Sequence, residues 1–358
     1  MQKTNNIIIK AALAFLTAVM ATGCIFEKYD MPKDLQSVMI QINVDAEKMT
    51  KSALTSTEEA VNSVRIYAFD GHRMAGHFFR GTASDDPIIM DLLMPDTGIY
   101  DIDFYVIVNE AAMTLASDVQ GFDANMTKAR LADIRFISIN SLETNGLPMY
   151  GNASVSVDVE NVLEEPSSAA GHEGHYILDY NVNIEIYRPL AKVSVYAAKG
   201  EGNDVEININ DVMMQARGTR QYGYLFNPSS AAVEAVPAGT EELDMLSEAV
   251  EVTKMITSDQ MEKSEYYDEV SSGIYLMEVP FGSPAWNVPV EDDVDAAVLE
   301  VSYTKGSASD AVGYVYMPEI KRNTHYKVFC FMASEREVEI TYIVRPWTEE
   351  YVEVPEFN

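Results

Sequence analysis

Apolar and polar residues alternate along short segments of the chain, with the two-residue period of β-strands. In residues 37–44 this alternation places Val38, Ile40, Ile42 and Val44 on one face of an extended strand. Further strand-like segments lie at residues 64–69, 102–108, 154–159, 182–186, 190–196, 205–209, 274–279, 297–303, 311–317, 326–332 and 337–344. Gly, Asn and Pro separate these segments, and one helix is expected around residues 127–135. The pattern predicts an all-β fold with minor helix, built from β-sandwiches.

The chain length and a break in the pattern indicate two domains. The 358 residues correspond to about two domains of roughly 100–200 residues each. Residues 164–174 are rich in Pro, Ser, Ala and Gly and predict a long loop, whereas residues 187–189 end one series of strands and open the next. We therefore predict an N-terminal sandwich at residues 52–187 and a C-terminal sandwich at residues 188–358, both transthyretin-like or Greek-key in type.

Charge and cysteine content exclude several classes of function. The chain carries 25 Lys and Arg residues against 56 Asp and Glu residues, a formal net charge of −31. Binding to nucleic acid, or electrostatic docking on an anionic membrane, requires the opposite balance. Two cysteines cannot form a disulfide framework. Of these, Cys330 lies in an apolar strand segment, which predicts a buried and inert thiol.

The N-terminus has the order of charge and hydrophobicity that is typical of an export signal. Lys3 and Lys10 precede an apolar run at residues 11–21, which is too short to span a membrane. Small residues then lead to Cys24 in an arrangement that resembles the lipobox of bacterial lipoproteins. The resemblance implies that residues 1–23 are a signal peptide and that Cys24 is acylated, palmitate being a typical chain, so that lipid alone attaches the protein to the outer membrane. The alternative is an ordinary signal peptide with a chance cysteine.

Candidate chemistry elsewhere is sparse. His172 and His175 could contribute to a zinc site, but their spacing and their small, flexible neighbours favour a solvated loop. Residues 291–295 are acidic and could attract calcium, although they lack the order of an EF-hand loop. No phosphate-binding loop or nucleophile elbow is present in the sequence. We therefore predict no cofactor, no metal site and no catalytic residue, and a protein that is not an enzyme.

Two segments at opposite ends of the chain have a matching character. The strand at residues 37–44 is followed by a polar loop that contains Lys48 and Lys51, and such a loop is a typical site of proteolytic nicking. Residues 348–358 form a strand-like tail, in which Val352 and Val354 point to one face and Tyr351 to the other. Phe357 closes this tail.

Several motifs, taken in order, resemble the Bacteroidales fimbrillin superfamily, the FimA- and Mfa-like lipoprotein subunits of type V pili. No single motif is specific, and the resemblance depends on their order and spacing. They are Cys24, the strand and basic loop up to Lys51, and residues 64–71, 104–109, 147–151, 187–193, 321–326 and 344–347.

The resemblance implies a mechanism of assembly. A trypsin-like protease cuts the propeptide, residues 24–51, after Lys51 or alternatively Lys48, and releases the first strand with Val38, Ile40, Ile42 and Val44. The tail of a neighbouring subunit, with Tyr351, Val352, Val354 and Phe357, then fills the vacated groove by strand addition. The partners are thus neighbouring fimbrial subunits in a head-to-tail polymer at the cell surface. The loop contains no Arg, a departure from Arg-specific processing that keeps an anchor role open beside the preferred stalk role.

Two other interpretations remain open from the residues alone. Both end strands could simply pair within their own domains. A surface glycan-binding lipoprotein would also be built from β-sandwiches, with Trp286 and some of the 20 Tyr residues as aromatic platforms. The identity of the protease, the adhesion target and the choice among stalk, anchor and tip do not follow from the sequence.

Overall fold

The computed structural model describes residues 36–46, 57–84, 87–161, 177–261, 263–282, 296–307, 310–332 and 339–346. These residues are mainly β, which confirms the predicted all-β sandwich class.

The first half of the chain forms two sheets that pack face to face. Its strands are β1 (Gln36–Ala46), β2 (Val64–Asp70), β3 (Arg73–Arg80), β4 (Ile88–Met94), β5 (Ile99–Val108), β6 (Met113–Leu115), β7 (Arg135–Ile139), β8 (Met149–Asp158) and β9 (Ile177–Ile186). One sheet has the order β4-β1-β9 and the other β3-β2-β5-β8. Their alternating inward side chains, among them Ile40, Ile66, Phe104 and Ile184, form one buried cluster. We call this body the N-terminal sandwich.

The second half repeats the arrangement. Its strands are β10 (Ala191–Gly200), β11 (Ile207–Met214), β12 (Gly223–Tyr224), β13 (Leu243–Asp244), β14 (Val250–Glu251), β15 (Met255–Ile256), β16 (Asp268–Leu276), β17 (Val298–Lys305), β18 (Ala311–Tyr316), β19 (Thr324–Met332) and β20 (Glu339–Pro346). One sheet runs β15-β10-β19-β20 with β16 also on β10, and the other runs β13-β11-β17-β18 with β14 also on β11. Val193, Val212, Val301 and Val328 lie in their shared core. We call this body the C-terminal sandwich.

The two sandwiches meet at a junction that contains both hydrogen bonds and apolar contacts. A small sheet of order β12-β7-β6 joins strands from both halves, with Gly223 opposite Phe136. A third buried cluster includes Tyr67, Leu190 and Phe226. This sheet crosses the domain division predicted near residue 187. The division stays a prediction.

Helices are short in the described residues. They are α1 (Lys128–Ala132), α2 (Leu142–Asn145) and α3 (Ser230–Glu234), with single 3-10 turns at Glu110–Ala112, Ala216–Gly218, Ser258–Gln260 and Ser264–Tyr266. The helix predicted at residues 127–135 is present but was predicted too long. Thr127 caps its start by accepting a hydrogen bond from the Arg130 backbone N–H at 3.2 Å. Its end differs because Arg135 already belongs to β7 and pairs with Tyr224 of the other sandwich.

Strands are observed at the segments that alternation predicts, whereas the hairpin strands β3 and β4 and the short strands β6, β7, β12, β13, β14 and β15 are missed. In β4 every residue except Asp91 is apolar, and a continuous apolar run carries no two-residue period by which to recognise a strand. The strand predicted at residues 102–108 is observed and is covered on both faces. Phe104 and Val106 face the sandwich core, and Ile107 faces the junction cluster. Cys330 is fully buried, as predicted.

Candidate functional site

The first strand lies in the middle of its sheet rather than at its edge. Residues Gln36 to Ile42 of β1 pair antiparallel with β4, and Met39 to Ala46 pair parallel with β9. The middle of β1, from Met39 to Ile42, is therefore paired on both sides, with an irregularity in the β9 register between Met39 and Gln41. Removing β1 would leave a slot between two strand edges, each with unpaired N–H and C=O groups. We call this feature the β1 slot.

The inward face of β1 supplies apolar side chains to the core. Ile40 is 0% exposed and Ile42 is 1% exposed. Val38 and Val44 are partly buried and pack against the same cluster. The structure thus brings together the four residues that the alternating pattern places on one face. Each fully buried Val or Ile side chain stabilises the fold by roughly 1.5–3 kcal/mol relative to an exposed one.

The outward face of β1 carries two side-chain amides, Gln41 and Asn43, besides Met39, and one of the amides pairs with the neighbouring strand. The Asn43 side-chain amide donates to Asn183 Oδ1 of β9 at 2.9 Å, and Gln41 Nε2 donates to Asn43 Oδ1 at 3.4 Å. A slip by one residue would place these amides in the core and Ile40 in solvent. The two faces together therefore specify the register of whatever strand occupies the slot.

Both walls of the β1 slot are attached to the opposite sheet at a glycine. A Cβ on Gly76 of β3 would lie 2.5 Å from the Asp91 carbonyl oxygen and 2.8 Å from Met90 Cε, both in β4. A Cβ on Gly151 of β8 would overlap the Glu185 carbonyl oxygen of β9. Only glycine permits this close approach of backbones. The walls therefore have contacts of their own that do not involve β1.

Most other residues singled out from the sequence lie outside the described part of the chain. These are Cys24, Lys48, Lys51, His172, His175, Trp286, Tyr351, Val352, Val354, Phe357 and the acidic loop at residues 291–295. The roles that the resemblance implies for them stay predictions.

Two of the described side chains that could carry chemistry, those of Cys330 and His325, are buried. Among the described residues, no group of three or more His, Cys, Asp or Glu side chains could hold a metal ion. Complete burial raises the pKa of the Cys330 thiol to about 12, so the nucleophilic thiolate is disfavoured. Burial, assisted by the charges of Lys192 and Lys327, lowers the pKa of His325 to about 3. No helix in the described ranges is long and apolar enough to cross a membrane.

Sequence reasoning missed a buried polar cluster close to β1 in the chain. Glu58 is 0% exposed, although an acidic residue in a linker is expected in water. Its partners lie more than a hundred residues away in the C-terminal sandwich. The weak available signal was Lys192, a charged residue near the start of the mainly apolar strand β10.

Comparison with known proteins gives structural matches. No protein-family model matches the chain, and no curated protein matches its sequence. A candidate cell adhesion protein from Bacteroides eggerthii DSM 20697 matches with a TM-score of 0.50 at 12% identity, covering 89% of this chain and 98% of that one. The tip fimbrial protein Mfa3 from Porphyromonas gingivalis, truncated at its C-terminus, has a TM-score of 0.46 at 13% identity, with coverages of 87% and 100%.

A third match is a fimbrilin (FimA) from Porphyromonas gingivalis W83, with a TM-score of 0.48 at 11% identity and coverages of 87% and 97%. The chain thus shares the fold of the Bacteroides eggerthii protein.

Proposed function

We propose that this protein is a non-enzymatic structural subunit of a type V fimbrium that serves adhesion or biofilm formation at the cell surface. It is exported as a lipoprotein, cut after Lys51 or Lys48, and polymerised by donor-strand exchange. A stalk role is preferred over an anchor or tip role. The sequence resemblance and the shared fold support this proposal.

One observation carries the proposal: the middle of β1 is paired on both sides and its inward side chains fill the core, yet β1 is the first strand that the structure describes. A strand in this position can be released by one cut, since only one connection joins β1 to the strands that follow. Its release would expose Ile66 and Phe104 beneath it, together with the edges of β4 and β9. Such a surface is prone to pair with another extended segment.

The tail of a second copy has the features that the β1 slot requires. Val352 and Val354 alternate with Tyr351 and Glu353, as Ile40 and Ile42 alternate with Met39, Gln41 and Asn43 in β1. Strand exchange would replace one set of backbone hydrogen bonds by a similar set. The favourable free energy of exchange must then come from side chains of the donor strand that fill the β1 slot better than those of β1. Head-to-tail donation is a heterologous contact, and such contacts build filaments when they do not close into rings.

Two variants test the two halves of this proposal. Changing Lys48 and Lys51 together to Ala should leave an uncut chain and no filaments, while the matched change of both to Arg should still be processed by a trypsin-like protease. Normal filaments from the Ala variant would exclude cleavage at this loop. Deleting residues 348–358 should leave a folded protein that cannot donate a strand, and continued polymerisation would exclude the donor role of the tail.

N-terminal sequencing of the protein recovered from the cell surface separates the possible roles. A chain that starts at Cys24 is an anchor or an uncut precursor. A chain that starts at Ser52 is a processed subunit.

A further inference from the structure

The segment between β1 and β2 is held by a buried polar tie to the other sandwich. The Glu58 carboxylate accepts hydrogen bonds from Lys192 Nζ at 2.8 and 3.1 Å and from the Tyr275 hydroxyl at 2.6 Å. The backbone oxygen of Glu58 accepts a further bond from Arg188 Nη2 at 2.9 Å. Lys192 lies in β10, Tyr275 lies in β16, and Arg188 lies three residues before the start of β10. All three donors thus belong to the C-terminal sandwich.

The protonation states and the burial of the groups in this tie favour its closed form. Burial and the adjacent carboxylate raise the pKa of the Tyr275 hydroxyl, so it remains a donor at any physiological pH. Burial lowers the pKa of Arg188 to about 10, which still leaves the guanidinium charged near neutrality. Lys192 is 6% exposed, and withdrawing Glu58 would leave this ammonium group buried without its carboxylate. Removing one partner of a buried ion pair is strongly unfavourable.

A second attachment follows within a few residues, in the N-terminal sandwich. Asn109 has the left-handed conformation φ 57°, ψ 49°. Its side-chain amide donates to the Ala60 carbonyl at 2.7 Å, and its Oδ1 accepts from the Asn62 N–H at 2.8 Å. The Asn109 backbone N–H also donates to the Ser63 carbonyl at 3.0 Å.

Both attachments hold residues 58–63 through groups outside β1, while Val61 of this segment packs against the same core cluster as Ile40. Glu58 connects this segment to one sandwich and Asn109 connects it to the other. By contrast, the backbone of β1 pairs with β4 and β9 alone in the described residues. The chain therefore has a fixed point between the strand that would leave and strand β2, which must stay.

We propose that Glu58 is a structural anchor within the chain: when β1 detaches, Glu58 limits the resulting disturbance to the β1 slot. When β1 detaches, the tie from Glu58 to Lys192 and Tyr275 keeps residues 58–63 and β2 in place, so the N-terminal sandwich retains its walls. The inference rests on the proposed function, because donor-strand exchange requires the rest of the N-terminal sandwich to stay folded when β1 leaves. Glu58 acts as a positioning residue: it contacts no incoming strand and preserves the receiving surface.

Hydrogen exchange of the uncut full chain tests this anchor. Ile40→Ala loosens β1, and Glu58→Gln removes the charge of the tie while keeping its shape. For amides that exchange by local opening rather than by global unfolding, and with Glu58 intact, Ile40→Ala should accelerate exchange in β1 and along its partners β4 and β9, and leave residues 58–63 and β2 within about twofold of the parent. In the Glu58→Gln background, the same Ile40→Ala change should accelerate exchange in residues 58–63 and β2 by about tenfold or more.

A matched control distinguishes an anchor from a merely stabilising ion pair. Glu278→Gln breaks another partly buried pair, in which Arg322 Nε donates to the Glu278 carboxylate at 2.8 Å. In that background the effect of Ile40→Ala should stay confined to β1, β4 and β9. A milder variant, Tyr275→Phe, deletes one donor and should give the pattern of Glu58→Gln with a smaller amplitude.

If Glu58→Gln and Ile40→Ala have additive effects on the exchange rates of residues 58–63, Glu58 is not an anchor. The same follows from an equal spread of exchange in the Glu278→Gln control. The test requires neither cleavage nor assembly. A failure of processing or polymerisation therefore contradicts the proposed function alone, and a failure of the exchange pattern contradicts the anchor alone.

Discussion

Truncating one inward side chain of β1 gives a quantitative test of the β1 slot. Ile40 is 0% exposed and lies in the same buried cluster as Ile66, Phe104 and Leu92. Ile40→Ala removes three carbon atoms, and at about 0.8 kcal/mol for each buried CH₂ the transfer loss is about 2.4 kcal/mol. The cavity that remains adds to this loss, and changes of Ile to Ala typically cost about 2–5 kcal/mol. We therefore expect about 3 kcal/mol.

The loss should appear both in equilibrium unfolding and in local opening. With a urea dependence of about 2 kcal/mol per M, a loss of 3 kcal/mol lowers the midpoint of the N-terminal sandwich by about 1.5 M. If β1 opens without global unfolding, the same energy raises its open population by about 150-fold. Hydrogen exchange of the peptide that contains β1 measures this population.

The adjacent residue provides a matched control. Gln41 is only half-buried and points to the other face of β1, where it makes a long hydrogen bond of 3.4 Å to Asn43. Gln41→Ala should change stability by no more than about 0.5 kcal/mol. Equal effects of Ile40→Ala and Gln41→Ala would refute the assignment of the two faces, and the argument for an apolar slot would fail with it.

Three further predictions concern packing, pH and thiol reactivity. Gly76→Ala should destabilise the protein by about 1–3 kcal/mol in urea unfolding, because its Cβ would meet the Asp91 carbonyl of β4 at 2.5 Å. Gly121→Ala, where nothing lies within 4 Å of the added Cβ, should be nearly neutral, and equal effects would contradict the close approach.

His325 has a pKa of about 3 in the folded chain against about 6.5 unfolded, so the unfolded chain binds a proton in this window that the folded chain excludes. Stability should fall as the pH falls from 6.5 toward 3, and His325→Gln should reduce the loss between pH 7 and pH 5 by about 2 kcal/mol; an unchanged pH dependence would show that His325 is not the group responsible. Cys330 should react with a thiol reagent at neutral pH no faster than the protein unfolds, and fast labelling of the native protein would contradict its burial.

Local periodicity was sufficient to assign a strand and its inward side chains where the strand has one buried face. In β1 successive side chains point alternately toward the core and away from it, so Ile40 and Ile42 could be assigned to the core without knowledge of the partner strands. The same reasoning failed for β4 because its apolar run has no period, and for the end of α1 because pairing of Arg135 with Tyr224 overrides the helical continuation. Long-range pairing, which local propensity does not encode, decided both cases.

The sequence by itself determined the all-β class, the apolar face of the first strand and the buried state of Cys330, because these depend on side-chain order over a few residues. Only the tertiary structure decided that β1 lies between β4 and β9, where Asn43 meets Asn183 across 140 residues of chain. It also decided that Glu58 reaches Lys192 in the other sandwich. The physical reason is that strand order and buried ion pairs are set by which distant segments can pack together while satisfying every buried polar group. That condition belongs to the whole fold and leaves no local period in the sequence.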